Sequence, residues 1–413
     1  MAAGLSGYVR VLRHRQAAVP FAASLIARLS FSLAPLSMVL LVSHVRDSYG
    51  DAGLVTGAYG IGTALGSPTL GRALDRFGQP RVVVPAGVLC GALLVVLALL
   101  AAADAPLAVL VALAAVAGAS FPPLGPAMRT AWRVIFPDQT LRRAGYALDA
   151  VAVETIFIVG PLLLSLLVTR TPAAVPLVLT GTLLAAGCVG YASCAAPRQV
   201  VPHEQSPKSE RGGSAARIGG MPALLVVVLG LAVAFGSIDT SLAATAREVL
   251  HDQSKLGWLF TAIAGGSAVG GLTYGARASH APGTEQRRIP LPLLTFSLAL
   301  VPVSLLLHAG RPPLGVLLPI LFVAGLSISP TIIMCQNLID VLSPPERVNE
   351  AQAWMSSSIT TGAACGTAVA GVVIDAVGVP GSFGNAAGAT ALAALAALAA
   401  QRVWRRRVAV LAQ

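Results

Sequence analysis

Apolar residues follow one another along this chain in long runs, without the alternation of a surface strand or the polar stripe of a surface helix. A helix needs about 20 apolar residues to cross a hydrocarbon core about 30 Å thick. Ten runs of at least twenty residues lack Asp, Glu, Lys and Arg, namely residues 52–71, 82–103, 105–128, 171–197, 218–238, 256–276, 289–310, 312–339, 351–374 and 376–401. Two further stretches are long enough but contain charge: residues 20–42 carry Arg28, and residues 145–168 carry Asp149 and Glu154. The pattern predicts an all-α integral membrane protein with twelve transmembrane helices.

Charge is too scarce for a water-soluble protein of this size. Apolar residues make up 55% of the 413 residues and charged residues 11%, against roughly a quarter charged in soluble proteins. Neither lysine follows a glycine, so the Gly-Lys-Ser/Thr sequence of an ATP-binding loop does not occur. The spans also lack the closely spaced aspartates with which membrane prenyltransferases bind metal. We therefore expect a protein that is not an enzyme and that needs neither a cofactor nor a metal.

Lysine and arginine indicate which side of the membrane each loop faces. If the N-terminus is cytoplasmic, the inner segments hold 22 of the 28 basic residues and the outer loops hold five, with Arg28 inside a span. Cytoplasmic loops carry this excess in membrane proteins generally. The distribution predicts a multi-pass protein of the cytoplasmic membrane with both termini in the cytoplasm. Because the basic residues are spread over every inner loop, the net charge of +11 does not indicate nucleic-acid binding.

The spans fall into two groups of six that resemble one another. Residues 196–221, rich in Pro, Ser, Gly and charge, predict a cytoplasmic linker between the halves 1–195 and 222–413. A constant offset of 204 pairs glycines, prolines and arginines of the two halves, including Gly62 with Gly266, Gly66 with Gly270, Pro126 with Pro330 and Arg143 with Arg347. Such duplication is typical of secondary transporters. Prolines inside spans four and ten predict kinks there, and the glycine pairs predict close helix packing.

The loop between spans two and three carries a recognisable motif. It reads Gly71-Arg72-Ala73-Leu74-Asp75-Arg76-Phe77-Gly78-Gln79-Pro80-Arg81. This resembles the signature loop of the major facilitator superfamily, in which a glycine, an Asp-Arg pair and a second glycine precede basic residues. Gln79 and Pro80 replace the usual basic pair. Together with the duplicated spans, the resemblance covers nearly the whole chain and implies the fold of that family, with two pseudo-symmetric six-helix halves.

The resemblance also implies a role for the loop. In that family it acts as a cytoplasmic latch, which here implies Asp75 against the N-terminus of span eleven, where helix N–H groups favour an anion. Arg129 is a second candidate partner of Asp75. Gly71, Arg76 and Gly78 complete the expected latch. A tight turn with solvated charges is the simpler interpretation of the same residues.

Ionisable groups inside a span are costly, so they are expected to face a cavity or one another. Arg28 and Glu154 each lie about nine residues into their runs, so they reach similar depths near the midplane. We predict that Glu154 is a proton-responsive carboxylate with Arg28 as its partner; a static pair between spans one and five is the alternative. Asp149 and Asp239 are additional candidates, each of which could equally be a residue at a helix end.

Polar residues on span one extend this candidate site. Ser24 and Ser32 flank Arg28 at i, i+4 spacing, which predicts a polar stripe on one helix face. In the major facilitator superfamily spans one, four, seven and ten line the central cavity, so the resemblance implies that this stripe lies on the substrate path. The Gly160-Pro161 pair in span five resembles part of a motif of drug exporters in that family.

These features together predict a secondary transporter. The leading hypothesis is a monomeric exporter that moves a small organic molecule by alternating access, coupled to protons and embedded in the lipid bilayer. The alternatives are uptake of a metabolite by symport or facilitated diffusion and, from a different class, a membrane receptor or enzyme that transports nothing. The sequence does not identify the substrate.

Overall fold

The chain is helical throughout the part that the structure describes. The structure is a computed structural model and describes residues 10–137, 139–200, 216, 218–276, 285–343 and 348–411, in which no strand occurs. In chain order the main helices are α1 Arg15–Arg28, α2 Ser30–Arg46, α3 Tyr49–Phe77, α4 Gln79–Ala102, α5 Leu107–Ala119, α6 Leu124–Ile135, α7 Gln139–Val168, α8 Val175–Ser193, α9 Ala195–Gln199, α10 Met221–Ala244, α11 Leu256–Ala276, α12 Pro290–Ala309, α13 Leu314–Gly325, α14 Ile328–Leu342, α15 Val348–Val377 and α16 Val379–Leu411.

The helices fall where the apolar runs predicted spans. Within the described ranges, ten helices are long and apolar enough to cross a membrane. Predicted spans two and five are not among the ten, but continuous helices of 29 and 30 residues, α3 and α7, lie at their positions. The all-α membrane fold is confirmed, whereas the count of twelve spans stays a prediction.

Spans four and ten are interrupted at their prolines, as predicted. Span four breaks between α5 and α6, where Pro122 and Pro123 precede the second helix. Span ten breaks between α13 and α14, and Pro330 in the first turn of α14 has no N–H to donate to the carbonyl of Leu326. Span one has one irregular residue, Leu29 between α1 and α2, but its helical hydrogen bonds continue: the Leu29 N–H donates to the Leu25 carbonyl and the Leu29 carbonyl accepts the N–H of Leu33, each at 3.0 Å. There the Ser30 hydroxyl donates to the Ala27 carbonyl at 2.5 Å, a back-bond of the kind that bends helices.

The chain separates into two compact units. The first comprises Met1–Arg46 with Ala58–Ser206, and the second comprises Asp47–Gly57 with Pro207–Gln413. The first turns of α3 therefore pack in the second unit, although the predicted halves placed all of span two in the first. Most of the predicted linker 196–221 lies outside the described residues.

Glycines let helix backbones touch in the same way within each unit. In the first unit, Gly62 and Gly66 of α3 lie against the backbone of α5, where a Cβ would collide with carbonyls of Ala115 and Ala119. In the second unit, Gly266 and Gly270 of α11 meet the backbone at Phe322 and Leu326 in the equivalent way. These are two of the residue pairs that the offset of 204 relates. The repeated packing supports the predicted duplication at the level of helix contacts.

Candidate functional site

An ion pair inside the first unit joins two predicted site residues. Nη1 of Arg28, at the end of α1, lies 2.6 Å from Oδ1 of Asp149 on α7. The two side chains are only 11% and 7% exposed. Gly125 of α6 lies beside them: a Cβ on this residue would come within 4.0 Å of Nη2 of Arg28. Three helices thus meet around a pair of charges that neutralise each other.

The same three helices also pack together through aromatic rings of α1 and α6 and a glycine of α7. Phe21 lies two turns before Arg28 on α1, Trp132 two turns after Gly125 on α6, and Gly145 one turn before Asp149 on α7. The rings of Phe21 and Trp132 are 5.5 Å apart, and Trp132 also stacks on Phe136 at 6.0 Å. The Trp132 side chain is fully buried, and Gly145 leaves the space for its indole, because a Cβ there would lie 2.9 Å from the ring. This cluster packs α1, α6 and α7 together two turns from the ion pair along α1 and α6.

The observed pair differs from the predicted one. We expected Arg28 to pair with Glu154 and considered Asp149 a possible solvated residue at a helix end. Asp149 is instead 5% exposed and bonded to Arg28. The reason is that α7 begins at Gln139, so Asp149 lies ten residues into the helix, or about 15 Å along its axis. Glu154 lies in the same helix, but its side chain is outside the described part of the structure.

The predicted serine stripe on span one does not form a polar lining. Ser24 is fully buried and donates to the Phe21 carbonyl of its own helix at 2.7 Å. Ser32 is 5% exposed and packs against Gly160 of α7, where a Cβ would lie 2.5 Å from its hydroxyl. This contact gives Gly160 a packing role in span five.

Asp239 on α10 is in a different situation from Asp149. Its neighbours Ile238 and Thr240 are buried, whereas Asp239 itself is exposed. Its carboxylate has no hydrogen-bond or ion-pair partner among the residues that the structure describes. A carboxylate on a membrane-spanning helix needs water or a counter-charge. The helix therefore presents an acid that is free to bind a proton or a cationic group.

Hydroxyl groups beside Asp239 tie α10 to its neighbours in the second unit. The Ser237 hydroxyl donates to the Gly366 carbonyl of α15 at 3.2 Å and accepts from Nδ2 of Asn385 on α16 at 3.1 Å. The hydroxyls of Ser241 and Ser382 lie 2.6 Å apart. Because Ser237 and Ser241 are buried, these bonds hold the segment around Asp239 in a defined position.

The structure describes parts of the predicted latch. Gly78 has φ +83°, which favours glycine, and its N–H donates to the Leu74 carbonyl to end α3. Arg76 is exposed, with its guanidinium 5.1 Å from the ring centroid of Phe77. A Cβ added to Gly71 would have no atom within 4 Å, so packing does not require glycine there. Arg129 is exposed on α6, and the side chain of Asp75 lies outside the described residues.

Gln79, which replaces a basic residue of the motif, is buried and was missed as a structural residue. It is 3% exposed. Its Nε2 donates to the Ala127 carbonyl of α6 at 2.9 Å, and its Oε1 accepts from the Tyr191 hydroxyl of α8 at 2.8 Å. One side chain thus links α4, α6 and α8 at the end of the motif. The departure from the basic pattern was the signal that could have identified it.

A family comparison covers nearly all of these helices. The model of the Major Facilitator Superfamily matches residues 21–251 and 223–410. The chain belongs to this family. Its membership makes the protein a transporter and not an enzyme.

Individual relatives agree with the family assignment. The multidrug efflux pump Tap of Mycobacterium tuberculosis is 28% identical over 380 residues, which cover 87% of each chain. Tap of Mycobacterium bovis matches equally well. Among solved structures, an auto-inhibited peptide transporter of the POT family superposes with a TM-score of 0.70 at 16% identity, covering 94% of this chain and 97% of that one. The nucleoside transporter NupG gives a TM-score of 0.70 at 14% identity, over 92% and 98% of the two chains. At such low identity these two structures establish the fold alone.

Proposed function

We propose that this protein exports small organic molecules across the cytoplasmic membrane in exchange for protons, by alternating access. Family membership makes it a transporter, and the similarity to a multidrug efflux pump over most of both chains supports export. In the proposed orientation both termini are cytoplasmic, as the distribution of basic residues predicts. The protein works as a monomer in the bilayer.

The observation that carries proton coupling is the state of Asp239. An exposed carboxylate without a described partner, on a helix that crosses the membrane, can change its charge without breaking an internal bond. A proton and a cationic substrate can then compete for the same group, which is the requirement for exchange. The hydroxyl network of Ser237 and Ser241 fixes the position of this acid.

The acids of the first unit have different roles in this proposal. Asp149 is already neutralised by Arg28, so this pair holds spans one and five together. Glu154 keeps the proton-responsive role that the sequence predicts for it. Asp75, Arg76 and Arg129 act as the conformational latch, with Gly71 and Gly78 shaping the loop. Replacement of Asp75 by alanine is expected to slow transport without loss of folded protein.

Reconstituted liposomes test the proposal directly. Purified protein is placed in vesicles with an imposed pH gradient, and the flux of ethidium, tetracycline and uridine is followed in both directions. We expect ethidium to move against the proton flow and to stop moving when the gradient is collapsed with an ionophore. Movement of a probe in the same direction as protons would favour symport instead. No flux of any probe, with folded protein present, would contradict a transport role for these substrate classes.

A further inference from the structure

A carboxylate at the end of α15 holds the first turn of α3. Oδ1 of Asp375 accepts the N–H of Tyr49 at 2.9 Å, and Oδ2 accepts the N–H of Gly50 at 2.6 Å. Oδ2 also accepts the Ser48 hydroxyl at 2.7 Å, while Oγ of Ser48 accepts the N–H of Asp51 at 3.0 Å. The first N–H groups of a helix have no partner within the helix and attract negative charge. Asp375 supplies that charge from another helix, 325 residues after Gly50 in the chain.

Below this contact, α3 and α15 touch through their backbones. A Cβ on Gly53 would lie 2.8 Å from the Thr367 carbonyl oxygen, and one on Gly57 would lie 3.1 Å from the Ala364 carbonyl oxygen. On the opposite side, Gly371 lies against the Tyr49 carbonyl. At these positions the two helices are close because side chains are absent, so no long side chain interlocks them. Such an interface can separate without rotamer changes.

The rest of the same helix packs elsewhere. Residues Asp47–Gly57 belong to the second unit and Ala58 onward to the first. The second glycine pair of α3, Gly62 and Gly66, lies against α5 of the first unit. The helix is continuous from Tyr49 to Phe77. A rigid helix cannot keep both sets of partners if the units move during transport.

We infer that Asp375 is a positioning residue that clasps the start of α3 in the state seen here and releases it during the transport cycle. This inference rests on the proposed alternating access. The clasp lies at the end of two spans, where water replaces the bonds of both the carboxylate and the N–H groups once they separate. The hydrogen bonds of the Asp375 carboxylate therefore fix the first turn of α3 in this state, and breaking them costs little free energy because water replaces them. The longer part of α3, held by Gly62 and Gly66, stays with α5 throughout.

A reversible disulfide tests the release. A Cβ on Gly57 would lie 3.2 Å from Cβ of Ala368, slightly less than the roughly 3.5–4.5 Å of a disulfide. Gly57→Cys with Ala368→Cys, in a background whose five native cysteines are replaced by alanine, can therefore be cross-linked. The matched control is Gly230→Cys with Ala393→Cys, where the corresponding distance is 3.0 Å between α10 and α16 of the second unit.

Ethidium flux is measured with each pair reduced, oxidised and reduced again. We expect oxidation of the Gly57–Ala368 pair to lower the flux by about tenfold or more, with recovery on reduction, because the cycle is stopped at a conformational step. The control pair should transport equally well in both redox states. Full transport with the first pair oxidised would overturn the inference, and so would the failure of this pair to cross-link. If the background protein, in which alanine replaces all five cysteines, moves no probe, the proposed function fails instead of this inference.

The role of Asp375 has a readout that does not depend on transport. Asp375→Ala is expected to lower the rate of cross-linking of the Gly57–Ala368 pair by about tenfold, because the charged acceptor for the helix N-terminus is lost. The rate for the Gly230–Ala393 pair should not change, whereas a general loss of folding would alter both. Asp375→Asn, which keeps one acceptor oxygen, should give an intermediate rate and replaces the alanine variant if that one does not fold. The clasp would be excluded if the Gly57–Ala368 pair cross-linked at the same rate with Asp375 as with its alanine or asparagine variant.

Discussion

The guanidinium of Arg28 lies 2.6 Å from the carboxylate of Asp149, and neither side chain is more than 11% exposed. The two residues are 121 positions apart, so the pair exists only because α1 and α7 pack together. Attraction between buried charges is strong, but both charges lose their hydration on burial. Removing one of the two charges is therefore expected to cost more stability than replacing both by apolar residues.

Loss of one member should destabilise the protein more than loss of both. We expect Arg28→Ala or Asp149→Ala to lower the free energy of unfolding by about 3–5 kcal/mol, because the remaining charge is buried without a partner. The double variant Arg28→Met with Asp149→Leu should recover most of the stability. Thermal unfolding followed by size-exclusion chromatography of detergent-solubilised protein measures the difference.

The control for this comparison is Asp104→Asn, which removes an exposed negative charge opposite Arg46. The Asp104 side chain is 79% exposed, and asparagine tolerates the φ of +54° at this position. Exposed ion pairs contribute about 0–1 kcal/mol, so the midpoint of unfolding should change little. Single and double variants of equal stability would show that the buried charges are not coupled.

The glycines of α3 should differ in their tolerance of alanine. A Cβ on Gly66 would overlap the backbone of Ala119, whereas one on Gly71 meets nothing within 4 Å. Gly66→Ala should therefore cost about 1–3 kcal/mol, since backbone atoms cannot move aside as side chains do. Gly71→Ala should leave the unfolding midpoint unchanged or raise it slightly, because alanine favours the helix where space is free. Equal midpoints for the two variants would contradict the close approach of α3 and α5.

The Gln79 side chain should be coupled to Tyr191. Gln79→Leu leaves the buried Tyr191 hydroxyl without this partner, at a cost of about 1–3 kcal/mol. The Ala127 carbonyl lies inside α6 and keeps the helical N–H of Ala131. In a Tyr191→Phe background the same substitution should cost about 1 kcal/mol less, because the hydroxyl is already absent. A double-mutant cycle of thermal stability measures this coupling, and additive effects would argue against the hydrogen bond.

Neutral substitution of the candidate proton-binding acids should separate coupling from folding. Asp239→Asn should abolish flux driven by a pH gradient while leaving thermal stability unchanged, because its carboxylate has no partner among the described residues. Glu154→Gln is expected to have the same effect on flux. Asp252→Asn, in the loop after α10, is the control and should transport normally. Gradient-driven flux at the wild-type rate in the Asp239 variant would remove this residue from the mechanism.

Neither the depth of a residue along its helix nor the orientation around the helix could be read accurately from the sequence. Arg28 was expected to pair with Glu154 at its own level, and it pairs with Asp149, which the sequence estimate placed nearer the surface. Two acids, Asp149 and Glu154, were available within five residues, and the choice between them depends on how α7 is rotated against α1. Measuring depth from the apolar run, and not from the first residue of α7, made Asp149 look too close to the surface. Ser24 and Ser32 were misjudged for a related reason, since the burial of both and the contact of Ser32 with Gly160 are set by packing.

The sequence by itself determined the all-α membrane fold, the prolines that break two spans and the family, because each depends on residue types in order along one dimension. The motif from Gly71 to Gly78 carried the family resemblance in the same way. Only the tertiary structure decided which faces of the helices meet, including the partner of Arg28 and the contact of Asp375 with the first turn of α3. The physical reason is that lipid is as apolar as the interior, so a membrane helix needs no hydrophobic stripe on its packed face. The orientation is set instead by close backbone packing and by a few polar bonds, and these exist only once the helices are assembled.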